Sequence, residues 1–323
     1  MEIENNSKLF IHKYQPIYFG DFEIDENIVE ILNTLIEIDN LNILIIGDMG
    51  SGKTSLMNAI ILEYYKGNEK SAIEENILHI NSLKEQGINY YRNDVKTFCQ
   101  TTCSIYKKKK IIVLDDIDFI NEQSQQVFRN CIDKFSHNVH FICTTTSHQK
   151  VIESLQSRLL TIKIKSLQKE KLHKIMKKIM SSENINMSLD VQHFILDICN
   201  NTAKILINYM EKCKLLNTEI TMDVAKSICA NISFSIFQEY TENVKKKNLI
   251  NAIELFYSIY DKGFSVIDIL DNYFLFIKST SMLTEEEKYK IIPLLCKYIT
   301  IFHNIHEDEI ELSIFTNNLI QSI

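Results

Sequence analysis

The chain has 323 residues, 45% of them hydrophobic and 24% charged, with 17 Phe and 14 Tyr. Such a length makes about two domains with a substantial core, and the composition excludes a disordered tail or a collagen-like fibre. A net charge of −7, from 35 basic and 42 acidic residues, excludes a polycation that holds nucleic acid by bulk attraction, so any such contact must be local. Only 7 Gly and 2 Pro interrupt the chain, which argues for long helices and against an all-β architecture. The 8 Cys occur singly, with neither Cys-x-x-Cys nor zinc-finger spacing, and the N-terminus is not signal-like. Reduced thiols in an intracellular, non-secreted protein are expected. Apolar runs such as 43–46 and 111–114 are too short to span a bilayer, so no membrane insertion is expected.

In chain order, residues 1–165 set short apolar, β-branched runs at 41–46, 77–80, 111–114, 139–143 and 160–164 between helix-length stretches. The alternation predicts a parallel sheet with helices on both faces, an α/β nucleotide-binding core. From 166 to 230 apolar residues recur at helical spacing, as in Leu172, Ile175, Met176 and Ile179, which predicts a small helical domain. Residues 231–323 are helical again. Ile253, Phe256, Tyr257 and Tyr260 share a stripe and Gly263 is a stop; Ser265 with Asp268 and Thr284 with Glu287 resemble capping boxes. A bundle of about four or five helices is expected there.

Gly47-Asp48-Met49-Gly50-Ser51-Gly52-Lys53-Thr54 matches G-x-x-x-x-G-K-S/T in full, after a strand-like run and before a helix-like stretch that opens at Ser55. The glycines let consecutive backbone N–H groups turn inward around a polyphosphate, and the helix N-terminus adds a favourable dipole. Lys53 is expected to reach the β- and γ-phosphates, and the Thr54 hydroxyl to bind Mg²⁺. The run 111–114 ends in Asp115-Asp116-Ile117-Asp118, so carboxylates emerge at the C-terminal edge of the sheet, where α/β folds bind ligands. Asp115 is placed to hold Mg²⁺ through water, and Asp116 to orient or deprotonate the attacking water.

These residues resemble the small subunits of replication factor C, the AAA+ clamp loaders of eukaryotes, archaea and some large DNA viruses. Lys13-Tyr14-Gln15-Pro16 is similar to the family's K-Y-R-P box, which in relatives lies beside the adenine. Tyr14 and Pro16 therefore join the expected ATP-binding set with residues 47–54 and Ser55. Ile80-Asn81-Ser82 with Gly87-Ile88 resembles the N-A-S-D-x-R-G-I stretch, and Gln125-Gln126-Val127-Phe128-Arg129 the Q-Q-A-L-R helix. Residues 141–159 align without a gap onto the segment from sensor 1 to the S-R-C motif, ending in Gln156-Ser157-Arg158-Leu159. That match puts Thr146 at the sensor 1 position, where asparagine is usual, and Arg158 at the arginine finger. Asn201-Thr202-Ala203-Lys204 falls where G-D-M-R is usual, so Lys204 stands in for the sensor 2 arginine. Lys262-Gly263-Phe264-Ser265 and Asp268-Ile269-Leu270 extend the likeness toward the C-terminus.

The resemblance implies an AAA+ P-loop core over 1–165, a helical lid over 166–230 and an all-helical collar over 231–323 that holds subunits together. It implies ATP and Mg²⁺ as cofactors, and a hetero-oligomer, expected as a pentamer, that opens a sliding clamp and loads it on primer-template DNA. ATP hydrolysis would drive release, in the nucleus or at a viral replication site; heavy use of Ile, Lys and Asn fits an AT-rich genome such as a viral one. Lys84, Arg92 and Arg129 lie on segments that face the DNA in relatives, and Tyr90, Tyr91 and Phe98 on a helix that approaches the clamp, although core packing explains these aromatics as well.

Four departures accompany the matches. Asp116 replaces a glutamate, shortening its reach and implying weak turnover; Thr146 offers a hydroxyl for an amide; Lys204 offers a point charge for a fork; and Leu159 replaces a cysteine. Two other readings stay open: a different AAA+ replication or recombination ATPase, and a non-hydrolysing ATP-binding scaffold that donates Arg158. For Arg158 the bland reading is a surface salt bridge, with Glu153 the nearest carboxylate in sequence. Lys107–Lys110 is expected as a solvated loop and Lys245–Lys247 as an exposed helix start. His303, His306, Glu307 and Asp308 lack the partners of a metal motif.

Overall fold

The computed structural model describes residues 9–81, 88–199, 201–216, 220–229, 232, 234–280, 282–302 and 306–322. The chain divides into two compact units, one of Met1–Leu172 with Asn201–Lys204, the other of His173–Asn200 with Ile205–Ile323. The first unit holds a parallel sheet of β1 (Ile43–Ile46), β2 (Ile77–Asn81), β3 (Lys110–Asp115), β4 (Val139–Thr145) and β5 (Leu160–Lys163), in the order β2-β3-β4-β1-β5. All five expected runs are strands, and β4 continues past the expected 143 to Thr145.

The strands β1, β3 and β4 are buried on both faces and read largely as apolar runs, whereas the edge strand β5 leaves Leu160 and Lys163 exposed. Ile43, Ile45, Ile111, Val113, Ile142 and Ile162 alternate onto one face and pack on Leu32 and Leu35 of the helix Glu26–Glu37 and on Leu56 and Ile60 of the helix Lys53–Tyr64. Leu44, Ile112, Leu114, Phe141 and Cys143 take the other face, against Val95 and Cys99 of the helix Ile88–Gln100 and Phe128 and Ile132 of the helix Glu122–Phe135. With β4 seated between β1 and β3, the C-terminal ends of all three lie side by side. Those ends, the loops that leave them and the start of the helix Lys53–Tyr64 carry Lys53, Thr54, Asp115 and Thr144.

The second unit is helical among its described residues and contains helices from both 166–230 and 231–323; Phe194 meets Phe234 edge-on, with ring centres 5.8 Å apart. Among the described residues five helices follow residue 233: Phe234–Lys245, Leu249–Tyr260, Val266–Ser279, Glu285–Phe302 and Ile310–Ser322. They close on an aromatic core in which Tyr240 stacks on Phe256 at 3.7 Å and its hydroxyl pairs with Thr316 at 3.0 Å, so the buried phenol keeps a hydrogen bond. Gly263, at φ +93°, follows the second of these helices. Ser265 Oγ accepts from the Asp268 N–H at 3.1 Å, while Thr284 and Glu287 exchange both bonds of a capping box at 3.3 and 2.7 Å. Lys245 ends a helix rather than starting one, and its Nζ donates to Met282 O at 2.9 Å and Glu287 at 3.0 Å. No helix among the described residues is long and apolar enough to cross a membrane.

Candidate nucleotide-binding site

The loop after β1 turns on residues that only glycine tolerates. Gly50 and Gly52 have φ of +75° and +91°, and a Cβ on Gly47 would lie 2.7 Å from Ser51 Oγ and 2.9 Å from Ile164 O. Lys53, buried at the start of its helix, folds back and donates from Nζ to Gly47 O at 2.9 Å and Asp48 O at 3.0 Å. The ammonium thus spans the loop while keeping donor capacity, since it has three protons to give. Ser166 donates to the Asp48 carboxylate at 2.7 Å, and Met49 stands exposed at the apex. Ser51 Oγ is buried and, among the described residues, has no hydrogen-bond partner. A buried hydroxyl inside a glycine loop, beside a lysine that bonds two loop carbonyls, fits the oxygens of a polyphosphate.

The acidic end of β3 meets this loop through hydroxyls. Thr54 Oγ1 lies 3.1 Å from Asp115 Oδ2, and Thr144 Oγ1 donates to Asp115 Oδ1 at 2.6 Å. Thr54 and Asp115 supply only two donors, so a magnesium ion held here would fill its octahedral shell from phosphate oxygens and water. Asp116 follows with a left-handed backbone at φ +52°, and its N–H donates to Thr144 Oγ1 at 2.8 Å. Burial, then the neighbouring Asp115 charge and Asp118, raise the Asp116 carboxyl above the usual carboxylate range against the pull of Lys53. Asp118 turns to the other side of β4. It accepts from the hydroxyls of Thr145 and Thr146 and from the Thr146 N–H at 2.9 Å. Burial pushes its carboxyl up, but these donors together outweigh burial and hold it low.

The remaining expected residues fall around this centre. Gln15, in the box of Tyr14 and Pro16, donates from Nε2 to Ser55 Oγ at 3.4 Å, while the half-buried Tyr14 ring meets Phe10 edge-on at 5.4 Å. Residues 201–204 pack with the first unit, where a Cβ on Gly50 would collide with Thr202 Cγ2; Lys204 is exposed in the first turn of the helix Ala203–Leu216. Arg158 Nε donates to Asp133 Oδ1 at 2.6 Å and its Nη1 to Ser154 O at 2.6 Å, so its intrachain carboxylate is Asp133 rather than Glu153. That guanidinium holds the Asp133 carboxyl below the usual range. The Nε of Arg129 approaches the same carboxylate at 3.6 Å without a hydrogen bond. Arg92 is exposed on its helix, and Lys84 lies outside the described residues.

Tyr90 and Phe98 pack against the core beside Val95 and Cys99, whereas the Tyr91 side chain lies outside the described residues. Lys107–Lys110 is not a purely solvated loop. Lys109 pairs with Asp39 at 3.1 Å, and Lys110 is buried at the start of β3 with its ammonium 4.4 Å from the Phe98 ring centre. Of the acidic C-terminal cluster, Glu307 accepts from the Ile267 N–H and Asp308 from the Ile310 N–H, each at 3.0 Å, and His303 lies outside the described residues. Thr144, Asp118, Gln15 and Asp133 were absent from the expected set.

Residues 43–167 match the model of the ATPase family associated with various cellular activities (AAA). The matched segment has the AAA+ P-loop fold. Outside it, the similarity runs along most of the chain. A protein of Acanthamoeba polyphaga mimivirus provisionally named replication factor C small subunit R395 is 27% identical, covering 90% of this chain and 89% of its own length. Replication factor C small subunit 2 of Pyrobaculum islandicum is 27% identical over 82% of each chain, and replication factor C subunit 5 of Homo sapiens 24% identical over 97% of this chain and 88% of its own. The chain is thus a relative of the replication factor C small subunits. Among solved structures, a DNA polymerase III gamma subunit-related protein from Thermotoga maritima superposes with a TM-score of 0.53 at 15% identity, covering 90% of this chain and 99% of that one. The RuvB branch migration motor of Thermotoga maritima gives 0.54 at 14% identity, over 72% and 80%. Both share the fold.

Proposed function

We propose that this chain is an ATP-binding subunit of a clamp-loading assembly in DNA replication, acting in the nucleus or at a viral replication site. The observation that carries the reading is the bridge from Thr54 to Asp115, which joins a phosphate loop with a buried hydroxyl to the acidic end of β3 in a relative of replication factor C small subunits. Lys53 and the loop N–H groups bind the phosphates, Thr54 and Asp115 hold the magnesium ion, and Tyr14 and Pro16 flank the base. Bound magnesium and ATP supply a polarised γ-phosphorus open to in-line attack by water. Asp116 accepts the proton of that water, and the upward shift of its carboxyl suits it to do so, while Thr146 and Lys204 orient the terminal phosphate.

Arg158 serves a neighbouring subunit, where a permanently charged planar fork stabilises charge on the γ-phosphate. Residues 166–230 form the lid and 231–323 the collar; Lys84, Arg92 and Arg129 bind the phosphates of primer-template DNA enclosed with a sliding clamp. The short reach of Asp116 makes turnover slow, and this same feature favours a second reading, a scaffold that binds ATP and donates Arg158 without hydrolysis.

The test is ATP turnover by the chain assembled with its co-purifying AAA+ subunits, with clamp and primed DNA added. Arg158→Ala should lower stimulated turnover by about a thousandfold at the neighbouring site. If Lys53→Ala leaves turnover intact while Arg158→Ala removes it, the scaffold reading replaces hydrolysis. No response to clamp and DNA in any variant would discard the clamp-loading assignment.

A further inference from the structure

The side chain that organises the acidic end is Thr144, which no motif singles out. It is fully buried on β4, where the parallel register sets it beside Ile45 of β1 and one step beyond the Cys143–Leu114 pair, next to Asp115. Alternation puts Thr144 and Asp115 on the sheet face covered by the helix Lys53–Tyr64, which carries Thr54. The hydroxyl has one proton to give, and an ionised Asp115 can only accept, so Thr144 donates to Asp115 Oδ1 at 2.6 Å. Its lone pair takes the Asp116 N–H at 2.8 Å, just where the backbone turns left-handed at φ +52°. Asp115 Oδ1 also lies 3.3 Å from Thr54 Oγ1.

We propose that Thr144 is a positioning residue for the magnesium-nucleotide site: one buried oxygen aligns the Asp115 carboxylate with Thr54 and pins the turn that carries Asp116. A carboxylate bonded on both sides keeps one direction for its remaining lone pairs, which lowers the cost of ordering it around a cation. Replacing the hydroxyl by a methyl of equal shape removes a hydrogen bond from two partly buried polar groups at once and loosens the Asp115 rotamer. This rests on the reading of the phosphate site given above.

The experiment measures the affinity of the full chain for a fluorescent ATP analogue with magnesium and with chelator. For wild type, magnesium should strengthen binding; Thr144→Val should reduce that gain by about tenfold while changing binding in chelator by less than about twofold. Thr144→Ser, which keeps the hydroxyl, should restore the gain to within about threefold of wild type. If circular dichroism shows Thr144→Val unfolded, Thr144→Cys takes its place, conserving volume with a weak donor. A valine or cysteine variant with the full magnesium gain overturns the role of Thr144 alone. A wild-type chain that gains nothing from magnesium overturns the site reading beneath it.

Discussion

The two edges of the one sheet carry polar clusters of similar size and opposite character. At the N-terminal edge, His140 is 1% exposed, takes the Leu41 N–H on Nδ1 at 3.3 Å and donates from Nε2 to Asp39 Oδ1 at 3.1 Å. Tyr64 donates to the same carboxylate at 2.7 Å and accepts the Lys109 N–H at 2.8 Å, and the Lys109 ammonium closes on Asp39. Every polar group named there has a partner within the chain. At the C-terminal edge, Ser51 Oγ has none among the described residues and two carboxylates adjoin in sequence, with Asp116 pushed upward. Internal satisfaction marks a cluster that holds the fold together, and unmet demand marks one waiting for a ligand.

The comparison is sharpened most by Lys53→Ala. Removing the ammonium should weaken binding of ATP with magnesium by at least about a hundredfold in equilibrium titration, with little change in unfolding free energy, because among the described residues the ammonium bonds loop carbonyls alone. A stability loss as large as the binding loss would erase the distinction between the edges.

The opposite edge should respond to acid. Burial lowers the His140 pKa to about 4, so the fold favours the neutral ring. Below the unfolded value near 6.5 the unfolded chain binds the extra proton first, so the contribution is complete above about pH 6.5 and disappears as the pH falls toward 4. The loss reaches at most about 3 kcal/mol and appears in urea unfolding at successive pH values. His140→Asn should flatten that slope while leaving nucleotide affinity within about twofold. An unchanged slope in the variant would assign the acid response elsewhere.

The smallest expected effect is a gain. Asp116→Glu lengthens the base by one methylene and should raise assembled turnover by about tenfold, read as steady-state phosphate release at saturating ATP. No gain would place the limit on some other step.

The fold was legible where one physical rule dominates. Apolar runs announced the strands because burial on both faces of the central ones favours apolar side chains, and the glycine loop announced itself because left-handed backbone and close approach need glycine. The polar contacts were legible where spacing is local, as in the capping boxes of Ser265 and Thr284, or where a motif links distant residues, as with Thr54 and Asp115. Asp133 escaped because it meets Arg158 across a strand and a loop, with no periodicity to link them. Thr144 escaped because β4 was expected to end at Cys143; threonines prolong a strand as readily as valine does, and the extra residues turn a loop hydroxyl into a buried one. Lys109 and Lys110 looked solvated since charge alone does not show which lysine meets a carboxylate or an aromatic ring.

The return of residues 201–204 to the first unit bears on how the molecule can be cut. A fragment ending at Leu172 would keep all five strands and the whole glycine loop, yet would strip away the threonine methyl that abuts Gly50. The smallest piece that preserves the surroundings of that loop runs past Lys204.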